Sequence, residues 1–244
     1  RYGSYRYLQK AKNNKLFIYG FDEEGLMQTD FETFLKRNHE KKSIDIIDGI
    51  FSWGPKHSDL LRKSGFQEKQ ILKTGNTRFD HYINLRKNKS NSGNDKNEVI
   101  LICSRFASAN PNKEIKSSND NRDGSQQYIA DSREILKLMI ALPHIIREAQ
   151  IKNTIIVRPH PSESKNLWIN ACEGLDNVLI TCEEPINNVL LKTKYLIHNR
   201  CTTAIEAFLM NVPVISYEPI NLKSPPNPDK EFTNSFANYI CKSK

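Results

Sequence analysis

At 244 residues, with 38% hydrophobic and 26% charged side chains, the sequence has the composition of a soluble globular protein with room for two small domains or one large one. No apolar run approaches the roughly 18 residues of a membrane-spanning helix, and the opening "RYGSYRYLQKAKNNK" lacks the apolar core of a signal peptide, so the expected compartment is the cytoplasm. The net charge of +8 lies largely in lysine-rich loops; it excludes nothing by itself, but it suits anionic reactants and an anionic membrane surface.

The chain starts without Met inside a helical pattern and is read as a piece of something longer. "KLFIYGF" reads as a strand, "DFETFLKRNHE" as a helix, "IDIIDGIFSWG" as a strand, "PKHSDLLRKSG" as a helix closed by Gly65, and "QILKTG" as a strand. The polar stretch "KSNSGNDKNE" (89 to 98) is the expected linker. Beyond it, "EVILICS" leads through a long aperiodic polar loop (104 to 127) to the helix "ADSREILKLMIALPHIIREAQ". Strand and helix then alternate: "TIIVRP", "ESKNLWINAC", "NVLIT", "EPINNVLLKT", "YLIHN", "CTTAIEAFLMN" and "VPVISY". Near-continuous apolar strands separated by helices predict an α/β protein with parallel sheets covered on both faces, divided into lobes at 1–90 and 91–244.

Ligands in such sheets bind beyond the carboxyl ends of the strands, where loops and helix N-termini converge. The polar clusters of this sequence fall there. In "RPHPSE", Pro159 and Pro161 stiffen the exit, Arg158 offers a planar fork for phosphate, and His160 can donate to a phosphate oxygen or protonate a leaving group; alternatively the prolines only stop the strand, and Ser162 caps the next helix. In "HNRCTTAIEAF", Thr202 and Thr203 open a helix suited to phosphate, and the Glu206 carboxylate can accept the two hydroxyls of a ribose; a capping box between Thr203 and Glu206 explains the same letters. "GFDEEGLM" stacks Asp22, Glu23 and Glu24 behind a strand, where mutual repulsion raises a pKa and favours a general base or nucleophile over a plain acidic turn. "TGNTRFD" permits a tight strand-to-helix turn at Gly75 and Asn76, with Thr77 as cap and Arg78 and Asp80 facing the cleft; helix capping alone explains the same letters.

The remaining chemistry-bearing residues read as structural. Cys103, Cys172, Cys182, Cys201 and Cys241 show no CxxC spacing and sit in apolar contexts, so buried free thiols are expected rather than disulfides or zinc ligands. His39, His57, His81 and His144 are read as helical and mostly exposed, with no metal-binding spacing, and Trp53 as core or surface. No nucleic-acid-binding motif occurs.

Together, "DEEGL", "FSWGPKHSDLL", "TGNTRFD", "IVRPHPSE" and "LIHNRCTTAIEAFLMNVPVISYEP" resemble the surface carbohydrate biosynthesis family, similar to the retaining β-Kdo transferases and to other GT-B glycosyltransferases, bacterial sialyltransferases among them, that use CMP-activated sugars. The resemblance runs over about residues 15 to 220. It implies a GT-B-like fold of two Rossmann-like lobes facing a central cleft: an acceptor lobe, incomplete here because few residues precede the acidic motif, and a nucleotide-sugar lobe. It implies transfer of Kdo or a related nonulosonate from a CMP-sugar to a glycan or glycolipid acceptor at the inner face of the membrane. No cofactor, metal or nucleic-acid partner is implied.

By the same resemblance, Glu23 or Glu24 is the catalytic acid/base; a retaining double displacement needs a second carboxylate as nucleophile, for which Asp80 of "TGNTRFD" is the candidate. His160 contacts the CMP phosphate with Thr202 and Thr203; the strand-end clusters themselves add Arg158, Pro161, Glu163, Asn199 and Glu206 to the expected nucleotide-binding set. A UDP-sugar 2-epimerase, a polyol-phosphate transferase of the teichoic-acid type and a non-catalytic glycan-assembly module are the alternatives.

Overall fold

The computed structural model describes residues 5–22, 41–91, 98–112, 126–224 and 232–242. By its internal contacts the chain divides into two compact units, Arg1–Asp80 and His81–Lys244. The helix expected over "DFETFLKRNHE" lies outside the described residues.

The first unit contains α1 (Tyr5–Asn13), β1 (Tyr19–Phe21), α2 (Lys41–Ile44), β2 (Gly49–Ser52), α3 (Pro55–Lys63), a 3-10 turn at Glu68–Gln70 and β3 (Ile71–Lys73). Its three strands form a parallel sheet in the order β1-β2-β3. Ile44, Ile47, Ile50, Leu61, Phe66 and Ile71 make the core. α3 shows why local signals work: Pro55 occupies the first turn, Arg62 and Lys63 the last, and Gly65 follows at φ 110.

Two strands are shorter than expected. Lys15 takes a left-handed φ of 58, and Leu16 N–H donates back to Ala11 O at 3.1 Å, so these residues cap α1 and cannot start β1. Ile44 ends α2, leaving β2 to begin at Gly49. Asp48 then ties the strands together by accepting from Ile18 N–H at 2.7 Å.

α4 (Thr77–Asn91) starts in the first unit and continues into the second. Residues 89–91, expected as linker, are its last turn, and 92–97 lie outside the described residues. The second unit runs β4 (Val99–Cys103), α5 (Gln126–Glu148), β5 (Thr154–Arg158), α6 (Asn166–Ala171), β6 (Val178–Ile180), α7 (Ile186–Leu191), β7 (Thr193–His198), α8 (Thr203–Leu209), β8 (Val214–Tyr217) and β9 (Tyr239–Cys241). All six strands are parallel, in the order β6-β5-β4-β7-β8-β9.

β4 is central and buried throughout. Val99, Leu101 and Cys103 face a core shared with α7 and α8, while Ile100 and Ile102 face one shared with α5 and α6. That strict alternation on a strand without a polar residue is what a doubly covered parallel sheet requires.

Among the described residues no helix is long and apolar enough to cross a membrane.

Candidate functional site in the second unit

β5, β4 and β7 are neighbours, and their register sets Arg158 opposite Cys103 and Cys103 opposite His198. The "RPHPSE" and "HNRCTT" loops therefore leave the same end of the sheet, separated by one strand, or about 10 Å. This row is the frame of the site.

Arg158 is anchored by a guanidinium N–H that donates to Glu184 O at 2.7 Å, which ties the β5 exit to the β6 exit. Pro159 is buried, and His160 beside it is exposed. The Ser162 backbone N–H donates to His160 Nδ1 at 3.2 Å, and Ser162 Oγ lies 2.6 Å from the same nitrogen. With Nδ1 accepting, the neutral imidazole carries its proton on Nε2. An exposed imidazole of fixed tautomer at the end of a strand is suited to donating to an anionic oxygen.

Glu163 has a different place from the one expected of a ligand contact. It is 1% exposed, and its carboxylate accepts from Ser104 Oγ at 3.0 and 2.9 Å, from Phe106 N–H at 2.7 Å and from His160 N–H at 3.3 Å. Burial pushes its pKa up, opposed by the Phe106, Ser104 and His160 hydrogen bonds. The residue is turned inward and binds the β4 exit to the β5 exit. The same seam is extended by Asn112 N–H to Ser162 O at 2.9 Å and Ser164 N–H to Asn110 O at 3.0 Å. The beginning of the segment expected to be a free loop is thus pinned; residues 113–125 lie outside the described residues.

At the β7 exit, Asn199 is buried, its Nδ2 donating to Tyr217 O at 2.7 Å and Glu218 Oε1 at 3.2 Å, so it too works within the protein. Arg200 takes a left-handed φ of 54 and pairs with Glu218 at 3.2 Å. Thr202 is exposed at the start of α8 and makes no side-chain capping bond; Thr203 Oγ1 lies 3.4 Å from Cys201 Sγ. Glu206 is buried at 6% exposure, inside the first turn of α8. A cavity of about 470 Å³ opens beside Arg200 and Glu218, with Asn221, Ser224, Asn234 and Lys242 among its lining residues.

Of the residues expected to act from the first half, Glu23 and Glu24 lie outside the described residues. Asp80 is exposed in the first turn of α4. Asn76, rather than Thr77, caps that helix, accepting from Arg78 N–H at 2.8 Å. Asp22 is buried, and its carbonyl accepts from Trp53 Nε1 at 2.7 Å.

His57 was expected to be exposed and is buried, at 4% exposure. Its Nδ1 accepts from Trp53 N–H at 3.2 Å, and Nε2 lies 3.9 Å from Asp22 Oδ2. Burial lowers its pKa, with Asp22 opposing. The signal for this was present: His57 and Leu61 are one turn apart on the apolar face of α3. His198 carried a similar signal, two residues beyond Leu196 on the same face of β7. It is fully buried; Nδ1 accepts from Cys201 N–H at 3.1 Å, and Nε2 has no hydrogen-bond partner among the described residues.

A family model described as "LIC12162 family transferase" matches residues 29–227. No curated protein matches the chain. Among solved structures, a putative UDP-N-acetylglucosamine 2-epimerase from Listeria monocytogenes is 14% identical over 87% of this chain and 53% of its own, with a TM-score of 0.53. The Methanocaldococcus jannaschii UDP-GlcNAc 2-epimerase, solved with UDP-GlcNAc and UDP, is 14% identical over 98% of this chain and 68% of its own, at 0.51. The wall teichoic acid polymerase TagF is 14% identical over 83% of this chain and 45% of its own, at 0.45. The chain spans about half the length of the Listeria structure and less than half that of TagF. The likeness to the two epimerases, together with the parallel sheets, assigns the fold class: α/β, GT-B-like.

Proposed function

Because the chain belongs to the LIC12162 family of transferases, we propose that it is a glycosyltransferase acting on a CMP-activated acidic sugar, Kdo or a related nonulosonate, and passing it to a surface glycan or glycolipid acceptor at the inner face of the membrane. The observation that carries this reading is the row Arg158, Cys103, His198, which sets the His160 loop and the Thr202–Thr203 loop side by side at the carboxyl end of one sheet.

In this reading the phosphate of CMP is bound by His160 Nε2 and the hydroxyls of Thr202 and Thr203. Arg158 and Pro161 shape the β5 exit, and Asn199 and Glu163 hold the two loops from inside. Glu206, from within α8, is the candidate for the ribose hydroxyls. The cavity beside Arg200 and Glu218 has the volume for a sugar ring and mixes carboxamide, hydroxyl and charged groups, as polyol recognition requires. A single phosphate met by imidazole, hydroxyls and backbone donors needs no metal for charge compensation, so metal-independent transfer belongs to the proposal. Glu23 or Glu24 would serve as acid/base. Asp80 would attack the anomeric carbon as the bond to CMP breaks, and the acceptor hydroxyl, losing its proton to the base, would then displace Asp80. The lysine excess suits these anionic reactants.

A second reading, a UDP-sugar 2-epimerase, is raised by the Listeria and Methanocaldococcus structures, although that likeness is one of fold. Calorimetric titration with CMP, UDP and CDP separates the two. Saturable binding of CMP in preference to UDP, weakened by His160→Ala, is the expected result; preference for UDP overturns the CMP-sugar reading.

A further inference from the structure

The cavity of about 470 Å³ is lined by residues that follow β7, β8 and β9, and the hydrogen bonding of its polar residues is not balanced. Glu218 is fully engaged. Its Oε1 accepts from Asn199 Nδ2 at 3.2 Å and lies 3.2 Å from Ser216 Oγ and 3.4 Å from Asn234 Nδ2, while its Oε2 pairs with Arg200 Nη2 at 3.2 Å. Asn234 Oδ1 is held in turn, 2.7 Å from Ser216 Oγ. The carboxylate and carboxamide acceptors of this network are therefore taken. The unmatched groups are cationic: Arg200 Nε is buried without a hydrogen-bond partner, and Lys242 is exposed and makes no ion pair among the described residues.

We propose that this cavity is a carboxylate site, which reads the acid group of the donor sugar through Arg200 and Lys242. Two cations and one anion line it, so a bound carboxylate makes the lining neutral. A buried N–H without an acceptor is unfavourable, and a ligand oxygen removes that cost. The guanidinium is held ready for this. Glu218 fixes one of its nitrogens, and the left-handed φ of 54 at Arg200 is a strained backbone of the kind that persists where the surroundings enforce it. Ile220, Leu222 and Ile240 also line the cavity and offer apolar contact to the carbon skeleton of a sugar.

The neighbouring residues favour a carboxylate over a second phosphate. In a CMP-linked 2-keto acid, the carboxylate and the phosphate oxygen are carried by the same carbon, so the two groups have to be read from adjacent points. Arg200 and Thr202 are two residues apart in the chain, at most about 7 Å between Cα atoms. The cation of the cavity thus stands beside the threonines assigned to the phosphate.

A neutral sugar carries hydrogen where the acid carries its carboxylate, and it would leave both cations without a partner. The cavity therefore selects acidic sugars by what a neutral one leaves unmatched. Identifying the bound group with the donor sugar rests on the proposed function; the preference of the cavity for a carboxylated sugar does not.

The test is NMR titration of the full chain, without nucleotide, followed at the backbone amides of Asn221, Ser224 and Asn234. The probes are Kdo, N-acetylneuraminic acid, the C1 methyl ester of each, and inorganic phosphate. Saturable shifts with at least one acid are expected, with its ester bound about tenfold more weakly or worse. Lys242→Gln and Arg200→Gln should each weaken the acid by about three- to tenfold and leave the ester unchanged. Lys242→Gln, at an exposed position, carries the test if Arg200→Gln fails to fold. Amides unmoved by both acids overturn the proposal, as does an ester bound as tightly as its acid or acid binding that both variants leave intact. Phosphate that moves the amides as strongly as the acids makes the cavity a phosphate site and overturns the carboxylate assignment. A preference for UDP over CMP in calorimetry would remove the CMP-sugar reading and leave these nucleotide-free shifts as they are.

Discussion

The hydroxyl of Ser104 lies 3.0 and 2.9 Å from the two carboxylate oxygens of Glu163, 59 residues further along the chain. The same carboxylate takes the Phe106 N–H at 2.7 Å, so one buried side chain satisfies the polar groups where β4 ends. Glu163→Ala would leave a hydroxyl and a backbone N–H buried without an acceptor, a loss of about 2–4 kcal/mol by urea denaturation. Glu163→Gln keeps one acceptor oxygen and should cost less than half of that. An alanine variant as stable as wild type would show that the seam between the two loops contributes nothing.

His160 predicts the opposite pattern. Because its ring is exposed, His160→Ala should change stability by no more than about 0.5 kcal/mol. Loss of one hydrogen bond to a charged phosphate should weaken CMP binding by about 10- to 100-fold in calorimetry. Equal affinities would remove the histidine from the phosphate site.

The buried His198 sets an acid limit on the fold. Burial lowers its pKa from 6.5 to about 4. Below pH 6.5 the unfolded chain binds a proton that the folded chain refuses until about 4. The stability linked to this group is therefore complete above 6.5 and lost as the pH falls towards 4, about 3 kcal/mol in all. His57, also lowered by burial, acts with the same sign. Glu163, raised by burial, acts with the other: its contribution is present below 4.5 and lost as the pH rises. His198→Asn, which keeps an acceptor for Cys201 N–H, should flatten the fall in denaturation midpoint between pH 7 and pH 4.5. An unchanged slope would contradict this assignment.

Asp131 anchors one wall of the cavity near Arg200. It is buried, and its Oδ2 accepts from Lys223 N–H at 3.0 Å and Ser224 N–H at 2.8 Å. Asp131→Ala should accelerate amide exchange at Lys223 and Ser224 by about tenfold or more while leaving the β4 amides protected. Uniform acceleration across the second unit would indicate global loosening instead.

The sheet of the second unit was readable because "EVILICS" and "TIIVRP" are apolar on both faces, which only a covered parallel strand tolerates. β9 was not, because Tyr239 and Ile240 are exposed at the sheet edge and form no such run. The strand-end clusters were legible as places but not as roles. Arg158 and His160 stand at a strand exit as the prolines required, whereas Glu163 and Asn199, similar in letters, turn inward to partners 59 and 18 residues away that local spacing cannot reveal. Asn76 took the cap from Thr77 because its carboxamide reaches Arg78 N–H at 2.8 Å.

The place of β4 in the middle of its sheet also bears on how the polypeptide is made. The edge that will receive β7 begins with Val99, and its partner Thr193 is added only about 94 residues later. At about 5–20 residues per second, a ribosome leaves that apolar edge open for on the order of 5–20 seconds. Substitutions that weaken β7 would then be felt during biosynthesis, as lost yield and aggregation, before any change in melting temperature was seen.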